Sequence, residues 1–363
     1  MELRIGLAYN QKPTEGAASA SGAFREGASE DAEPPSSKPP HSPSHDRFAE
    51  WDEPATIAAV EAALSRVGTV VRLEADADFP RKLQDASPDI VFNIAEGLNG
   101  PNREAHVPAM CEFYGVPYTG SDVLTLALGL DKRRAKEVFQ ARGVPTAAFV
   151  TLLPDAPSSL PPGFPLPAVV KPVHEGSSMG IPERAFCRTP AEVARRVAEI
   201  AREYHQPALA EAFLPGREFT VAVLGNGAGA TALPLVEIRF DALPAGAVPL
   251  YGYEAKWVWD TTEAPLQIFD CPADVTASLG RAIGAAALGA YDALGCRDWA
   301  RVDIRLNAEE RPNVIEINPL PGILPDPRQN SCFPKAARAA GLSYDDLIAT
   351  VLQLAVRRCG VAQ

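Results

Sequence analysis

Two short segments constrain this chain more than any others: Arg301-Val-Asp-Ile-Arg-Leu306 and Val314-Ile-Glu-Ile-Asn318, joined by the polar turn Asn307-Ala-Glu-Glu-Arg-Pro-Asn313. Each alternates polar with apolar residues, the period of a β-strand with one wet and one buried face. That period sends Glu316 and Asn318 to the same side and places Asp303 between Arg301 and Arg305 on its own wet face. Paired as a hairpin, the strands would bring three oxygen ligands, Asp303, Glu316 and Asn318, to one patch. Hard oxygen donors without His or Cys suit Mg²⁺, which takes few protein ligands and completes its shell with phosphates and water. The same pattern also describes an ordinary solvated hairpin, so function has to be argued from further residues.

The rest of the chain alternates between strand and helix patterns. Leu3 to Tyr9 reads as a strand. Residues 11 to 47 are rich in Pro, Ser, Gly, Ala and Glu, with Phe24 almost alone as a large apolar group. Such a segment cannot bury enough surface to offset its ordering entropy, which predicts a disordered insert or a mobile flap. A helix is expected next, with Asp52 as its cap, Ile57, Val60, Leu64 and Val67 as its apolar stripe, and Gly68 as its stop. Thr69 to Leu73 and Asp89 to Ala95 read as strands, the second apolar enough for a parallel sheet covered on both faces. A helix around Glu104 to Tyr114 completes a small α/β unit. Ser121 opens a further helix, expected to continue through Lys132 and Lys136 and to stop at Gly143.

Beyond it come a strand at Ala168-Val-Val-Lys171 and a capping box at Thr189-Pro-Ala-Glu192. Leu209 to Leu214 and Glu218 to Leu224 read as strands around the turn Pro215-Gly-Arg217, and Gly225-Asn-Gly227 is a hairpin signal. An Ala-rich helix from Ala273 to Leu294 and a final helix from Tyr344 to Arg357 flank the opening hairpin.

In Val169-Val-Lys-Pro-Val-His-Glu-Gly-Ser-Ser-Met-Gly180 a lysine at a strand end meets a loop of small residues. Gly176 and Gly180 would let the backbone approach a ligand, Ser177 and Ser178 add donors, and Lys171 supplies a point charge for phosphate. The loop lacks the Gly-Lys-Ser/Thr of a Walker A motif. Lys132, beside Asp131, reads either as a solvated helix lysine or as a second charge for phosphate. Glu211 and Glu218 read either as exposed strand acids or as contacts to a nucleotide's amino group and ribose.

The length of 363 residues allows two or three domains. A net charge of -12 speaks against a general binder of nucleic acid or anionic membranes. Six cysteines are scattered without a Cys-x-x-Cys pair, the pattern of reduced cytosolic thiols and not of a disulfide frame or zinc site. No apolar stretch is long enough for a membrane span, and the N-terminus runs straight into a strand without a signal-peptide core. A cytoplasmic protein is expected.

In this order the segments resemble the D-alanine–D-alanine ligase family of the ATP-grasp superfamily, over about Asp89 to Leu354. The carrying motifs are Gly115-Val-Pro-Tyr-Thr-Gly-Ser121, Leu130-Asp-Lys132, Val170-Lys-Pro172 with Glu175-Gly-Ser-Ser178, and Arg217-Glu-Phe-Thr-Val221. Tyr253-Glu-Ala-Lys256, Arg301-Val-Asp303, Glu316-Ile-Asn-Pro-Leu-Pro-Gly322 and Ser331-Cys-Phe-Pro334 continue the series.

The resemblance implies an α/β (α+β) ATP-grasp fold with an N-terminal Rossmann-like α/β domain. Its three domains would span residues 1–125 (with the insert 11–47), 126–214 and 215–363. It implies ATP and two Mg²⁺ ions, or Mn²⁺ in their place. Lys132 and Lys171 would contact the ATP phosphates beside the loop Glu175, Gly176, Ser177 and Ser178. Glu211 and Leu214 would sit at the adenine, and Glu218 at the ribose. Asp303, Glu316 and Asn318 would hold the metal, and Lys256 would face the phosphates or the first substrate. Arg301 and the Gly322 N–H would stabilise the oxyanion, and Ser331 would bind the carboxylate of the second substrate. The implied chemistry is an acyl phosphate formed from ATP and a carboxylate, then attacked by an amine to give an amide. The partners implied are small amino-acid-type substrates in peptidoglycan synthesis, and a homodimer, with no nucleic acid or membrane.

The first-substrate half departs from the family pattern. Tyr9-Asn-Gln-Lys-Pro and the low-complexity segment stand where the family has a glycine-rich motif with Ser and Glu. Trp257, which lacks a hydroxyl, stands where a tyrosine would join the family's Glu–Ser–Tyr triad, Glu96-Gly97 replaces the usual His-Gly, and Ser178 is counted among the catalytic residues that the resemblance implies. Glu96, near Arg103, would then select an amine-bearing or otherwise polar first substrate, or else act as a strand-end acid capping a turn. The alternatives are therefore an amino-acid or dipeptide ligase for a substrate other than D-alanine in specialised metabolism, and a non-catalytic nucleotide-binding regulator.

Overall fold

β1 (Leu3–Tyr9) lies between two parallel neighbours, β2 (Gly68–Glu74) and β3 (Ile90–Asn93), and helices packed above and below bury both its faces. Parallel strands need crossovers. These are α1 (Pro54–Leu64) and α2 (Phe79–Ala86). The computed structural model describes residues 2–13, 48–153, 160–244, 246–260 and 266–362. Of the insert expected over residues 11 to 47, only 11–13 are described, and 14–47 lie outside the described residues. The placed ends are tied together: the Lys12 N–H donates to the Asp52 carbonyl and the Asp52 N–H to the Asn10 carbonyl, both at 2.9 Å. Residues 11–13 are thus part of the folded unit.

Several local expectations are corrected. The N-cap of α1 is Glu53, not Asp52, and its side chain makes no cap hydrogen bond; Pro54, whose missing N–H would be unpaired in any case, opens the helix. Val67 lies beyond α1, and Gly68 begins β2, where a Cβ would sit 2.1 Å from the Leu3 carbonyl oxygen. α2, absent from the sequence reading, turns only Phe79, Leu83 and Ala86 inward. After a turn of 3₁₀ helix at Arg103–Ala105 comes α3 (His106–Tyr114). The single helix expected from Ser121 to Gly143 is two, α4 (Val123–Leu130) and α5 (Lys132–Ala141). Asp122 and Asp131 each accept the N–H three residues on, at 2.9 Å, so each caps its own helix. Lys132 is therefore the first residue of a helix and not a mid-helix lysine.

A 4-stranded antiparallel sheet follows, β4 (Phe149–Leu152), β5 (Ala168–Pro172), β6 (Phe186–Cys187) and β7 (Ala208–Ala212), in the order β4-β7-β5-β6. α6 (Pro190–Tyr204) covers it with Val193, Val197 and Ile200 and begins with the expected capping box between Thr189 and Glu192.

The last sheet is 6-stranded: β8 (Glu218–Leu224), β9 (Thr231–Ala232), β10 (Val236–Ile238), β11 (Phe269–Asp270), β12 (Trp299–Leu306) and β13 (Pro312–Asn318). Its order is β11-β10-β8-β12-β13, with β9 paired to β8. β7 and β8 thus belong to different sheets, and Pro215 to Arg217 link the two sheets and do not turn a hairpin. α7 (Ala277–Leu294) packs on one face through Ile283, Ala286, Ala287 and Ala290.

α8 (Cys332–Ala339) and α9 (Tyr344–Cys359) join this sheet to the N-terminal one. Trp299, fully buried, is the pin. Its ring meets Phe92 of β3 at 5.8 Å and Phe333 of α8 at 5.7 Å, both edge-on, the geometry that ring quadrupoles favour.

Candidate active site

The sheet face of β8, β12 and β13 opposite α7 floors a cavity. Asp303 is paired with Glu316 and Arg301 with Asn318 across β12 and β13, while Thr220 and Glu218 of β8 lie opposite Asp303 and Arg305. Residues directly opposite one another share a face, so all seven side chains converge. The strict alternation read from the sequence fails at one point. The register slips between Asp303 and Ile304, Ile315 bulges to line the cavity, and Val314 turns into the core.

Apart from Gly180 and Arg103, the residues singled out in the sequence line this one cavity: Lys132, Lys171, Glu175, Gly176, Ser177, Ser178, Glu211, Leu214, Glu218, Lys256, Trp257, Arg301, Asp303, Glu316, Asn318, Gly322, Ser331 and Glu96. The cavity holds about 310 Å³. They come from the second and third sheets, from α5 and from the loop after β3, so only tertiary folding brings them together.

Glu316 is ringed by cations. Lys132 Nζ stands 3.5 Å from its Oε2 and also donates to the Glu175 carbonyl. Burial alone would raise the Glu316 carboxyl, but Lys132, Lys171 and Arg301 outweigh it and hold the group down at about 2. Asp303 accepts from Arg301 Nε at 3.1 Å and Nη2 at 3.0 Å, and from the Thr220 hydroxyl at 2.8 Å. The Asn318 amide nitrogen reaches it at 3.4 Å.

At the neighbouring end, Glu211 is buried between two lysines, with Lys171 Nζ at 2.9 Å and Lys136 closer still. Glu218 accepts from Arg305 Nη1 at 2.8 Å. The Arg305 guanidinium lies between the rings of Phe213 and Phe240, at 4.5 and 4.7 Å.

The loop over the cavity carries Ser177 and Ser178 with φ of 49° and 61°, left-handed conformations that cost a non-glycine residue energy and concentrate at ligand sites. The Ser178 hydroxyl donates to the Tyr251 carbonyl at 2.9 Å, and the Trp257 indole N–H donates to the Ser177 carbonyl at 3.0 Å. Trp257 thus anchors this loop by its backbone. Lys256, in a π-helical turn at Ala255–Trp259, lies 5.2 Å over the Trp257 ring. Burial, helped by Arg301, lowers its ammonium to about 8. The Ser331 hydroxyl accepts the Leu324 N–H at 3.1 Å and donates to the Gly322 carbonyl at 3.3 Å, which closes the 322–331 loop. Cys332 beside it also lines the cavity, its thiol held neutral by burial at about 11.

The sequence reading missed Lys136, Glu50, Asp52 and Glu104. Lys136 follows Lys132 by one helical turn, so spacing alone could have paired them. Glu50 and Asp52 follow the low-complexity segment, where composition gives no signal. Glu50 accepts from Arg103 Nη2 at 2.8 Å and packs against Gly176, where a Cβ would lie 2.0 Å from its Oε1. Glu96 precedes Gly97, whose φ of 74° and closeness to the Arg103 carbonyl exclude a side chain there.

The donor set Asp303, Glu316 and Asn318 is all oxygen, faces one cavity and lies within a cluster of cations suited to phosphates. It fits Mg²⁺ with ATP. Among the described residues no three His, Cys, Asp or Glu side chains group as metal ligands, and the third donor here is the Asn318 amide. No single helix among the described residues is long and apolar enough to cross a membrane.

Residues 138–353 match the family model of the D-ala D-ala ligase C-terminus. An uncharacterized protein, y4sG, of Sinorhizobium fredii is 39% identical over 269 residues, covering 74% of this chain and 75% of that protein. A D-alanine–D-alanine ligase of Bordetella pertussis is 41% identical over 263 residues, covering 72% of this chain and 77% of the relative. The crystal structure of a D-alanine–D-alanine ligase from Bacillus anthracis complexed with ATP superposes with a TM-score of 0.68 at 20% identity, covering 99% of both chains. That likeness shows the fold.

Proposed function

The chain belongs to the D-alanine–D-alanine ligase family, and on that premise we propose that it is an ADP-forming ligase joining a carboxylate to an amine through an acyl phosphate. The observation that carries this reading is the one cavity where two buried lysines meet an oxygen-donor patch and an arginine carried on the face of β12 and β13. Lys132 and Lys171 would hold the ATP phosphates. Glu211 and Leu214 would border the adenine, and Glu218 the ribose. Asp303, Glu316 and Asn318 would hold Mg²⁺, whose charge neutralises the phosphates when bound.

In the first step a substrate carboxylate oxygen bonds to the γ-phosphorus while the bond to the bridging oxygen breaks and ADP leaves. In the second, an amine nitrogen bonds to the acyl carbon, inorganic phosphate departs and the nitrogen gives up a proton. Arg301 and the Gly322 N–H would offset charge on the acyl oxygen, and Ser331 would bind the carboxylate of the second substrate. Positioning and charge neutralisation supply the rate, with no protein nucleophile.

The division into residues 1–125, 126–214 and 215–363 is supported by one sheet falling in each. Six free thiols support a reducing, cytoplasmic setting. The test is ADP release with ATP, Mg²⁺ and D-alanine, with mass spectrometry of the same mixture. Stoichiometric ADP and a D-alanyl-D-alanine mass support synthesis of a cell-wall precursor. Failure to form ADP with any amine and carboxylate pair overturns the ligase reading.

A further inference from the structure

One end of the cavity gathers more carboxyl groups than a single α-amino group requires. Glu50, Asp52, Glu96 and Glu104 all line it. The cations beside them are already engaged. Arg103 donates to Glu50 at 2.8 Å and to the His174 carbonyl at 2.9 Å, and lies 3.5 Å from Glu175, while Lys12 pairs with Glu53 at 3.3 Å. The carboxylates of Asp52, Glu96 and Glu104 make no hydrogen bond or ion pair among the described residues. Glu104 is only 8% exposed and lines the cavity. Burying a carboxylate without a partner is costly, and burying several together more so. Burial and the neighbouring Glu50 push the Glu104 carboxyl up to about 8. Arg301 and Lys256, which also line the cavity, are the cations to which a substrate carboxylate would be drawn.

We propose that this acidic wall selects a first substrate with a second positive charge, a diamino or guanidino acid whose side-chain cation is held by Glu96 and Glu104. This rests on the ligase reading above and adds the substrate class to it. Glu50 is committed to Arg103, so Glu96 and Glu104 provide the free acceptors. The Trp257 ring, already within 5.7 Å of Lys12 and 5.2 Å of Lys256, adds a face suited to cations.

The test compares ornithine with norleucine, which has the same chain length but a methyl in place of the ammonium. Each enantiomer is given to the full-length protein with ATP, Mg²⁺ and D-alanine, and ADP and dipeptide are followed together. The expected kcat/KM for ornithine exceeds that for norleucine at least tenfold, mainly through KM. Glu104→Gln and Glu96→Gln are each expected to lower that ratio severalfold, and either variant suffices if the other fails to fold. Equal or reversed ratios with dipeptide still formed would overturn this specificity and leave the ligase reading standing. An unchanged ratio in both variants would overturn it as well. No ADP with any pair, from protein that still binds ATP, would overturn both.

Discussion

Glu211→Gln leaves two buried ammonium groups without their shared counter-charge. The Lys136 side chain is 1% exposed and Lys171 4%, and both point at a carboxylate that is itself 7% exposed. Removing one partner of a buried ion pair typically costs about 3–5 kcal/mol, because the other charge is stranded. The protein can limit that cost by releasing a proton from Lys136. Burial already lowers this lysine against the pull of Glu211, and its remaining partners are the Thr146 hydroxyl at 2.7 Å and the Val314 carbonyl at 3.4 Å. Neutralising an ordinary lysine at pH 7 costs about 1.4 kcal/mol per unit between its usual value and that pH, so the ceiling is about 5 kcal/mol.

The sign of the pH dependence follows. With its folded-state pKa lowered further, Lys136 binds fewer protons in the native than in the unfolded chain, so stability rises with pH. The deficit of Glu211→Gln should be largest near neutrality and shrink by up to about 1.4 kcal/mol per pH unit from 7 towards 10. The assay is urea unfolding followed by tryptophan fluorescence at pH 7, 8 and 9. Adding Lys136→Met, which replaces the stranded charge with an apolar chain, should recover much of the loss. A loss under about 1 kcal/mol at pH 7, or one independent of pH, would refute the claim that this carboxylate neutralises buried lysines.

Glu316→Ala should reduce ADP formation by about a thousandfold or more, since several kcal/mol of charge stabilisation at the phosphates is lost. Its melting temperature should stay near that of the native chain, and normal turnover would sink the metal assignment. Trp299→Ala should cost about 3–5 kcal/mol in denaturant unfolding, because the ring is fully buried between Phe92 and Phe333. A cost under about 2 kcal/mol would show that the two sheets are held together elsewhere. Asp298→Ala should cost a similar ~3–5 kcal/mol. That carboxylate is fully buried, accepts from Arg358 Nη2 at 2.7 Å, Asn226 Nδ2 at 2.7 Å and the Gly120 N–H at 2.8 Å, and its φ is 63°. Asp298→Asn, which tolerates that left-handed backbone, should unfold at a urea midpoint nearer the native value, and equal losses in the two variants would disprove the hydrogen-bond account.

Local pattern and motif order were enough to read the α/β class, the hairpin of β12 and β13, the capping box of α6 and part of the lining of the cavity. Each depends on short-range rules: a period of two sends Asp303, Glu316 and Asn318 to one face, and Thr189 caps a helix whose Glu192 lies three residues on. Where two local rules competed, the sequence was ambiguous. Asp131 could continue a helical stripe or cap a new helix, and its cap hydrogen bond to Arg134 decided, placing Lys132 at a helix start. The bulge at Ile315 was invisible because it is set by pairing with β12, not by β13 alone.

Charge neutralisation was beyond sequence altogether. Whether Lys171 faces phosphate or a carboxylate, and whether Glu96 and Glu104 have partners, depends on side chains that meet only when distant segments pack. Lys171 is separated from Glu211, Lys132 from Glu316 and Glu50 from Arg103 by long stretches of chain, and burial at their meeting point strengthens each interaction by removing water. Sequence by itself determined the kinds of group available and the faces on which they stand. The tertiary structure alone decided which charges are paired, which are left facing the cavity, and therefore what the cavity can hold.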